Sequence, residues 1–393
     1  MTARALSVDP DPTLAMVAGE ASGDLLASLM IRGLRARWPH AKLVGIGGPR
    51  MAEQGFQAWW PHEKLAVRGY VEVLRHYREI VGIRSQLKAR LLAVPPQIFV
   101  GVDAPDFNLD LARDLRQAGI PTVQFVCPSI WAWRAERVEK IRQSVDHVLC
   151  LFPFEPALLA QHGIAATYVG HPLAQTIARV PDRDAARARL GLALDATVVA
   201  VLPGSRASEI QYLAPRFLRA AQRMAAQRPG LQFVLPSVPS LRQVIEQHVA
   251  DAGGVPGLQV LDGRSHDALA ACDVSLVASG TATLEAALFK RPMVIAYNMH
   301  WFSWWLMKGK KLQPWVGLPN ILCQSFVVPE LLQDKATPHA MAEAVLAWLD
   351  QPEKVRELTQ RFTDLHDQLL RDTPTLSAHA IESLLARLSL IHI

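Results

Sequence analysis

The chain is poor in cysteine, with four in 393 residues: Cys127, Cys150, Cys272 and Cys323. No two are close enough to form a C-x-x-C pair, which excludes the common thiolate-zinc and dithiol redox motifs. The apolar neighbours of Cys127, Cys150 and Cys272 mark them as reduced core residues of a cytosolic protein. Charge is also sparse, at 20% of residues, and its excess is a mild +5. That balance suits an anionic substrate, a nucleic acid or an anionic membrane and selects none of them. The cations are spread along the chain without a recognised nucleic-acid motif, so a basic nucleic-acid binder is disfavoured. Long hydrophobic runs are missing. The N-terminal MTARALSVDPDPT has no apolar signal-peptide core. The longest strongly apolar stretch, Pro292 to Met307, is short for a membrane span and holds Pro292, Asn298 and His300. Neither a G-x-G-x-x-G fingerprint nor a P-loop lysine pattern occurs, so the usual dinucleotide and nucleoside-triphosphate motifs are unsupported.

Half of the residues are hydrophobic, as in a folded globular protein, and the length favours two domains over one. Short β-rich runs alternate with helical patterns. The first series is 14–20, 42–48, 97–103, 121–126 and 146–152; the second is 197–206, 231–237, 258–263, 273–280 and 292–297. Strands separated by helices predict parallel pairing in a doubly wound sheet, here twice over. The polar stretch 180–191 lies between the series, which places a linker near 172–185. Helical patterns at 338–350, 353–371 and 375–388 close the chain. The architecture expected is two Rossmann-like α/β domains with strand C-termini lining a cleft between them.

Several strand ends carry chemistry. In VVAVLPGSRASEI (198–210) an apolar run breaks into Gly204, Ser205 and Arg206 before a helix. Glycine lets a ligand approach the backbone, helix-start N–H groups attract anions, and arginine matches phosphate oxygens. In VASGTATLEAALF (277–289) a strand ends in Ser279, Gly280 and Thr281; Thr281 can cap the helix, and Glu285 lies one turn beyond it, where a carboxylate can accept ribose hydroxyls. Either loop alone reads as an ordinary helix cap. Together they favour a nucleotide diphosphate. GVDAPDFN (101–108) ends a strand in two carboxylates; Asp106 is expected to cap the next helix, leaving Asp103 as a general base. In GEASGD (19–24), Ser22 or Asp24 could cap a helix, and Glu20 is open between a turn residue and a site acid. The tryptophans of CPSIWAWR (127–134) read as core on composition alone. MHWFSWWLMKGKKLQPW (299–315) sets aromatics beside lysines, which suits a membrane interface or lipid groove. The basic segment 63–90 leaves that reading and a core helix equally open.

AGEASGD, GIGGPRM, GVDAPDFN, PSIWAWR, LPGSR, ASGTATLE and LPN occur in this order from about Leu14 to about Leu388. Together they resemble the lipid-A-disaccharide synthase family of Gram-negative lipopolysaccharide assembly. The resemblance implies a GT-B glycosyltransferase fold: an acceptor-binding domain over 1–175, a UDP-sugar domain over 176–352, and helices over 353–393 crossing back. It implies inverting transfer from UDP-2,3-diacylglucosamine to 2,3-diacylglucosamine 1-phosphate (lipid X), with no cofactor and no metal. Catalytic roles are implied for Asp103, Glu20 and Arg206. UDP would be held by Gly204, Ser205, Arg206, Ser279, Gly280, Thr281 and Glu285, and sugar or acceptor groups by Ser22, Asn320, Arg134 and Ser129. Trp301, Phe302, Trp304, Trp305, Lys308, Lys310 and Lys311 would dock a cytoplasmic enzyme on the anionic inner membrane; a homodimer is left open. The alternatives are another UDP-sugar enzyme of the same fold, such as an epimerase or the murein-precursor transferase, and a non-enzymatic nucleotide- or lipid-binding regulator, against which Asp103 counts.

Overall fold

The computed structural model describes residues 11–65, 70–131, 137–298 and 312–391. Contacts divide the chain into two units: one runs to Pro172 and resumes at Leu369, the other is Leu173–Gln368. The sequence reading put the divisions at 175/176 and 352/353. The helix Pro352–Leu369 therefore falls almost wholly within the second unit, and it is Thr373–Ile391 that belongs to the first.

The first unit is built on β1 (Thr13–Ala18), β2 (Lys42–Gly47), β3 (Gln57–Pro61), β4 (Ile98–Val102), β5 (Thr122–Phe125), β6 (His147–Cys150) and β7 (Ala166–Tyr168). They form one parallel sheet in the order β3-β2-β1-β4-β5-β6-β7. The second unit has β8 (Val198–Leu202), β9 (Gln232–Ser237), β10 (Leu258–Asp262), β11 (Val274–Ala278), β12 (Met293–Tyr297) and β13 (Glu330–Leu332), parallel in the order β10-β9-β8-β11-β12-β13. The central strands β4, β8 and β11 are buried at every position, as continuous apolar runs covered by helices on both faces require. Of the described strands, β3, β7 and β13 escaped the sequence reading. Each is an edge strand with half-buried or exposed side chains, so no apolar run announces it.

The helix Ala21–Arg37 packs on Thr373–Ile391, and Ile381, Leu384 and Leu385 join Met30, Ile31 and Leu34 in one core. Arg37 pairs with Glu382 at the rim. The helices approach so closely at Gly33 that a Cβ there would lie 2.0 Å from the carbonyl oxygen of Pro374. In the second unit the helix Ala207–Gln227 buries Ile210, Leu213, Ala214, Phe217, Leu218, Ala221 and Met224, one helical face, against its sheet. The polar stretch 180–191 contributes the helix Arg183–Leu190 to this unit. Arg187 is fully buried there: it donates to Asp273 Oδ2 at 2.9 Å and to the carbonyls of Ala271, Ala193, Leu194 and Ala196. Asp273 also accepts the Val198 N–H at 2.8 Å, which fixes the start of β8.

The close approach at Gly33 generates a prediction. Gly33→Ala forces the two helices apart and costs about 1–3 kcal/mol. Gly82→Ala, in the helix Tyr70–Ala93 with nothing within 4 Å of the new methyl, is neutral or mildly stabilising. Thermal melts of the two variants check the contrast. Equal melting temperatures would remove Gly33 as the contact that seats the last helix.

Candidate active site

In the second unit the strand order reverses between β8 and β11, whose ends are neighbours, Leu202 beside Val277. Two loops leave the sheet there. The first carries Gly204, with φ +125°, and Arg206, the N-cap of the helix Ala207–Gln227. The second carries Ser279, whose N–H is spent on the Ala296 carbonyl at 3.1 Å, and Gly280, with φ +154°, the N-cap of the helix Thr281–Leu288. A side chain is strained at both glycine positions. Gly204, Ser205, Arg206, Ser279, Gly280, Thr281 and Glu285 line a single cavity of about 400 Å³, completed by Pro236–Pro239 and by Gly263 and Ser265. All seven sequence-predicted nucleotide residues are thus brought together. One detail is corrected: Thr281 does not cap its helix. Gly280 takes that position without a side-chain bond, and Thr283 Oγ1 donates to the Gly280 carbonyl at 2.7 Å.

Two further residues belong to this site. His266 Nε2 lies 3.6 Å from Glu285 Oε2, and its ring meets the edge of Phe289. The Glu285 carboxylate beside it raises the imidazole above its usual value, against the effect of burial. Nothing local in the sequence pointed to His266, because its partner is a turn of another helix. Glu209 accepts the Ser205 N–H at 3.1 Å and pairs with Arg206 at 3.0 Å. Its signal was legible: an acid three residues after the N-cap commonly reaches back to the helix start.

The first unit repeats the arrangement. Its order reverses between β1 and β4, with Ala18 beside Val102. Glu20 is the N-cap of Ala21–Arg37 and makes no side-chain cap bond; Ser22 is exposed in the first turn. Asp24 does not cap this helix either. Its buried carboxylate accepts the N–H groups of Gly48, Arg50 and Met51 at 2.9, 3.0 and 3.1 Å, so the GIGGPRM loop is a receptor for Asp24. After β4, Asp103 and Ala104 hold φ of +52° and +40° in succession, a costly conformation for residues with side chains. It is clamped: Asn108 Nδ2 and Gln124 Nε2 donate to the Asp103 carbonyl at 2.9 and 3.0 Å, and the Asp103 N–H donates to Phe125. A Cβ on Gly19 would lie 2.9 Å from that of Ala104, so the loops bearing Glu20 and Asp103 touch. The expected division of labour fails in one respect. Ala104, not Asp106, is the N-cap, and Asp106 is an exposed first-turn residue paired with Arg137 at 2.6 Å.

Asn320 has a different task from the one expected. It is fully buried; its amide donates to the Val328 carbonyl and Glu330, and its oxygen accepts the N–H groups of Val327 and Val328. Every hydrogen-bonding position of the carboxamide is used in holding the loop 316–330, which leaves none for a sugar or phosphate. In PSIWAWR, Ser129 is exposed and Trp131 is buried, as the core reading had it. The Trp131 indole donates to Glu155 Oε1 at 3.0 Å and stands edge-on to Phe152 and Phe154. Burial pushes the Glu155 carboxyl from about 4.5 up to about 7, although Phe152 and Trp131 donate to it. Arg134, Trp301, Phe302, Trp304, Trp305, Lys308, Lys310 and Lys311 lie outside the described residues.

Two parallel sheets, each with loops gathered where its strand order reverses, are shared with known proteins. A family model described as lipid-A-disaccharide synthetase matches residues 14–381. The chain belongs to this family. It is 65% identical over 378 residues to the lipid-A-disaccharide synthase of Albidiferax ferrireducens, covering 95% of this chain and 97% of that one. Among solved structures it is similar to CalG4, the calicheamicin glycosyltransferase, with a TM-score of 0.58 at 16% identity, covering 96% of this chain and 99% of the other. It is likewise similar to the Staphylococcus aureus MnaA–UDP co-structure, with a TM-score of 0.64 at 10% identity and coverage of 97% and 98%. At such identities the structural likeness speaks for the fold alone, a GT-B pair of Rossmann-like domains.

The Glu155 environment sets a pH dependence. Its native carboxyl is raised above the unfolded value, so between about 4.5 and about 7 the native state holds the extra proton. Stability from this group is full below that window and is lost as pH rises through it. Glu155→Gln keeps an acceptor for Trp131 and abolishes the titration. The melting temperature of the variant relative to wild type therefore rises between pH 5 and pH 8. Parallel melting curves at the two pH values would show that Glu155 does not titrate in that range.

Proposed function

We propose that the protein transfers 2,3-diacylglucosamine from UDP-2,3-diacylglucosamine to the 6-hydroxyl of 2,3-diacylglucosamine 1-phosphate, giving a β-1′,6-linked disaccharide 1-phosphate and UDP. The single observation that carries this reading is the paired loops after β8 and β11, which set Arg206 and two helix starts around one cavity with Glu285 on its wall. The diphosphate lies between the loops, and Glu285, oriented by His266, takes the ribose hydroxyls. Arg206 and the helix-start amides stabilise the charge that builds on the leaving β-phosphate. The first unit supplies Asp103 as general base, with its backbone clamped by Asn108 and Gln124, and Glu20 to position a sugar. The acceptor oxygen attacks the donor C1 from the face opposite the diphosphate. Its proton passes to Asp103, and the electron pair of the broken C1–O bond leaves with UDP. One displacement inverts the stereochemistry, so no enzyme nucleophile is required.

Mass spectrometry of products from the two acylated sugars tests the reaction. A disaccharide 1-phosphate with equimolar UDP is expected, and free UDP without disaccharide would sink the proposal. Asp103→Asn lowers turnover by ~10²–10⁴-fold, the usual cost of losing a general base, with UDP affinity little changed. Near wild-type turnover in a folded variant would take the role from Asp103.

Both substrates carry acyl chains, so the enzyme works at a bilayer surface. We assign that contact to the tryptophans and lysines of 299–315 on their sequence, aromatic rings for the interface and cations for anionic lipid at ~1 kcal/mol per charge. No described helix is long and apolar enough to cross a membrane. Changing Trp304 and Trp305 together to Ser releases the protein from anionic vesicles in flotation and leaves its melting temperature unchanged. A variant that melts early places these tryptophans in a core; a stable one that still floats ends the assignment.

A further inference from the structure

In the loop after β8, the groups proposed to hold the diphosphate are already engaged by a carboxylate of the chain. Glu209 folds back from the first turn of Ala207–Gln227. One oxygen accepts the Ser205 N–H at 3.1 Å, and the other accepts Arg206 Nη1 at 3.0 Å. The side chain is only 15% exposed, whereas Arg206 is 61% exposed. It lies so tightly on the loop that a Cβ at Gly204 would be 2.7 Å from both its Cβ and its Oε2. Tyr297, at the end of β12, feels the same pair: burial raises its hydroxyl, the charge of Glu209 raises it further, and Arg206 opposes. A phosphate seeking the same N–H and the same guanidinium meets a like charge at contact distance.

We propose that Glu209 is a resident counter-anion of the phosphate loop: it holds Ser205 and Arg206 in the unliganded protein, yields them to the nucleotide diphosphate, and on returning expels UDP. This rests on the UDP reading of the cavity given above. The physical logic is competition. With the carboxylate seated, the loop is preorganised and its cation compensated, as in a capping box. The apparent affinity for UDP is then reduced by the fraction of time the carboxylate occupies the loop. Donor and product share the diphosphate, so an internal competitor trades ground-state affinity for product release. The opposing account makes Glu209 a positioning residue that aims Arg206 at the phosphate. The two accounts differ in sign.

Calorimetry with UDP and with uridine, on the full chain, separates them. Glu209→Gln keeps a neutral acceptor for the Ser205 N–H and removes the charge. We expect it to bind UDP roughly three- to tenfold tighter, the scale of one resident charge-assisted contact no longer given up. Uridine affinity stays unchanged, and inhibition by added UDP strengthens by a similar factor. Arg206→Ala binds UDP more weakly whether Glu209 is present or replaced. Glu209→Asp, a methylene too short to span the loop, shifts UDP affinity in the same direction as Gln and decides the matter should the Gln variant melt below assay temperature. Equal or weaker UDP binding in the folded variants overturns the counter-anion and leaves the positioning account. If the wild type binds neither UDP nor uridine, the UDP reading falls and takes this inference with it. If the wild type binds UDP and the variants do not tighten, this inference alone falls.

Discussion

Each half of the protein is organised by one constraint, the reversal of strand order in an all-parallel sheet. Parallel neighbours need crossover helices, and crossovers of one hand carry the chain to opposite sides of the point where the order turns. Beyond the ends of those two strands the loops diverge, and helix starts with unspent N–H groups are left side by side. Between β8 and β11 this yields the cavity with Arg206 and Glu285; between β1 and β4 it yields the Glu20 and Asp103 loops in contact. The buried strands contribute no chemistry of their own. They set the spacing of two loops to a strand separation and hold it rigid, which a catalytic geometry requires.

How much of this could be read from the sequence depends on the range of the interaction. The central strands were legible because burial on both faces makes them continuous apolar runs. Gly204 and Gly280 were legible because their loops break such runs with residues that need unusual backbone angles. The short edge strands β3, β7 and β13 were not, since half-exposed residues leave no periodic trace, although the edge strand β10 was found. Nor were the long-range polar partners. Asp24 looked like a cap for its own helix and instead serves a loop 24 residues on. Asn320 looked like a ligand and is absorbed by its own turn, while His266 had no local signature at all. The linker expected near 172–185 holds the division at 172/173, but nothing in the charge of Arg187 announced the carbonyl cage around it.

A recurring device explains these misses. Loops beside the strand ends are fixed by single carboxylates that gather N–H groups from elsewhere. Asp24 takes three, Glu330 takes those of Val316 and Gly317 with the Asn320 amide, Glu155 takes the Trp131 indole and the Phe152 N–H, and Asp273 takes Val198 with Arg187. A carboxylate with two or three donors is a strong anchor, because withdrawing it strands each donor in a poorly solvated place. These four acids are thus staples for loops and not reactive groups.

Glu209 is the same device in a different setting, and the setting reverses its consequence. The donors held by Asp24 are largely enclosed, so only that carboxylate can satisfy them. The donors held by Glu209 open onto a cavity, and one of them is a guanidinium more than half exposed. Water or a second anion can replace the carboxylate there without stranding a polar group, so its hold is a matter of relative affinity. An anchor that can be outbid by the ligand of its own loop becomes an equilibrium, and the same few ångströms of geometry that staple one loop shut leave the other able to open and close.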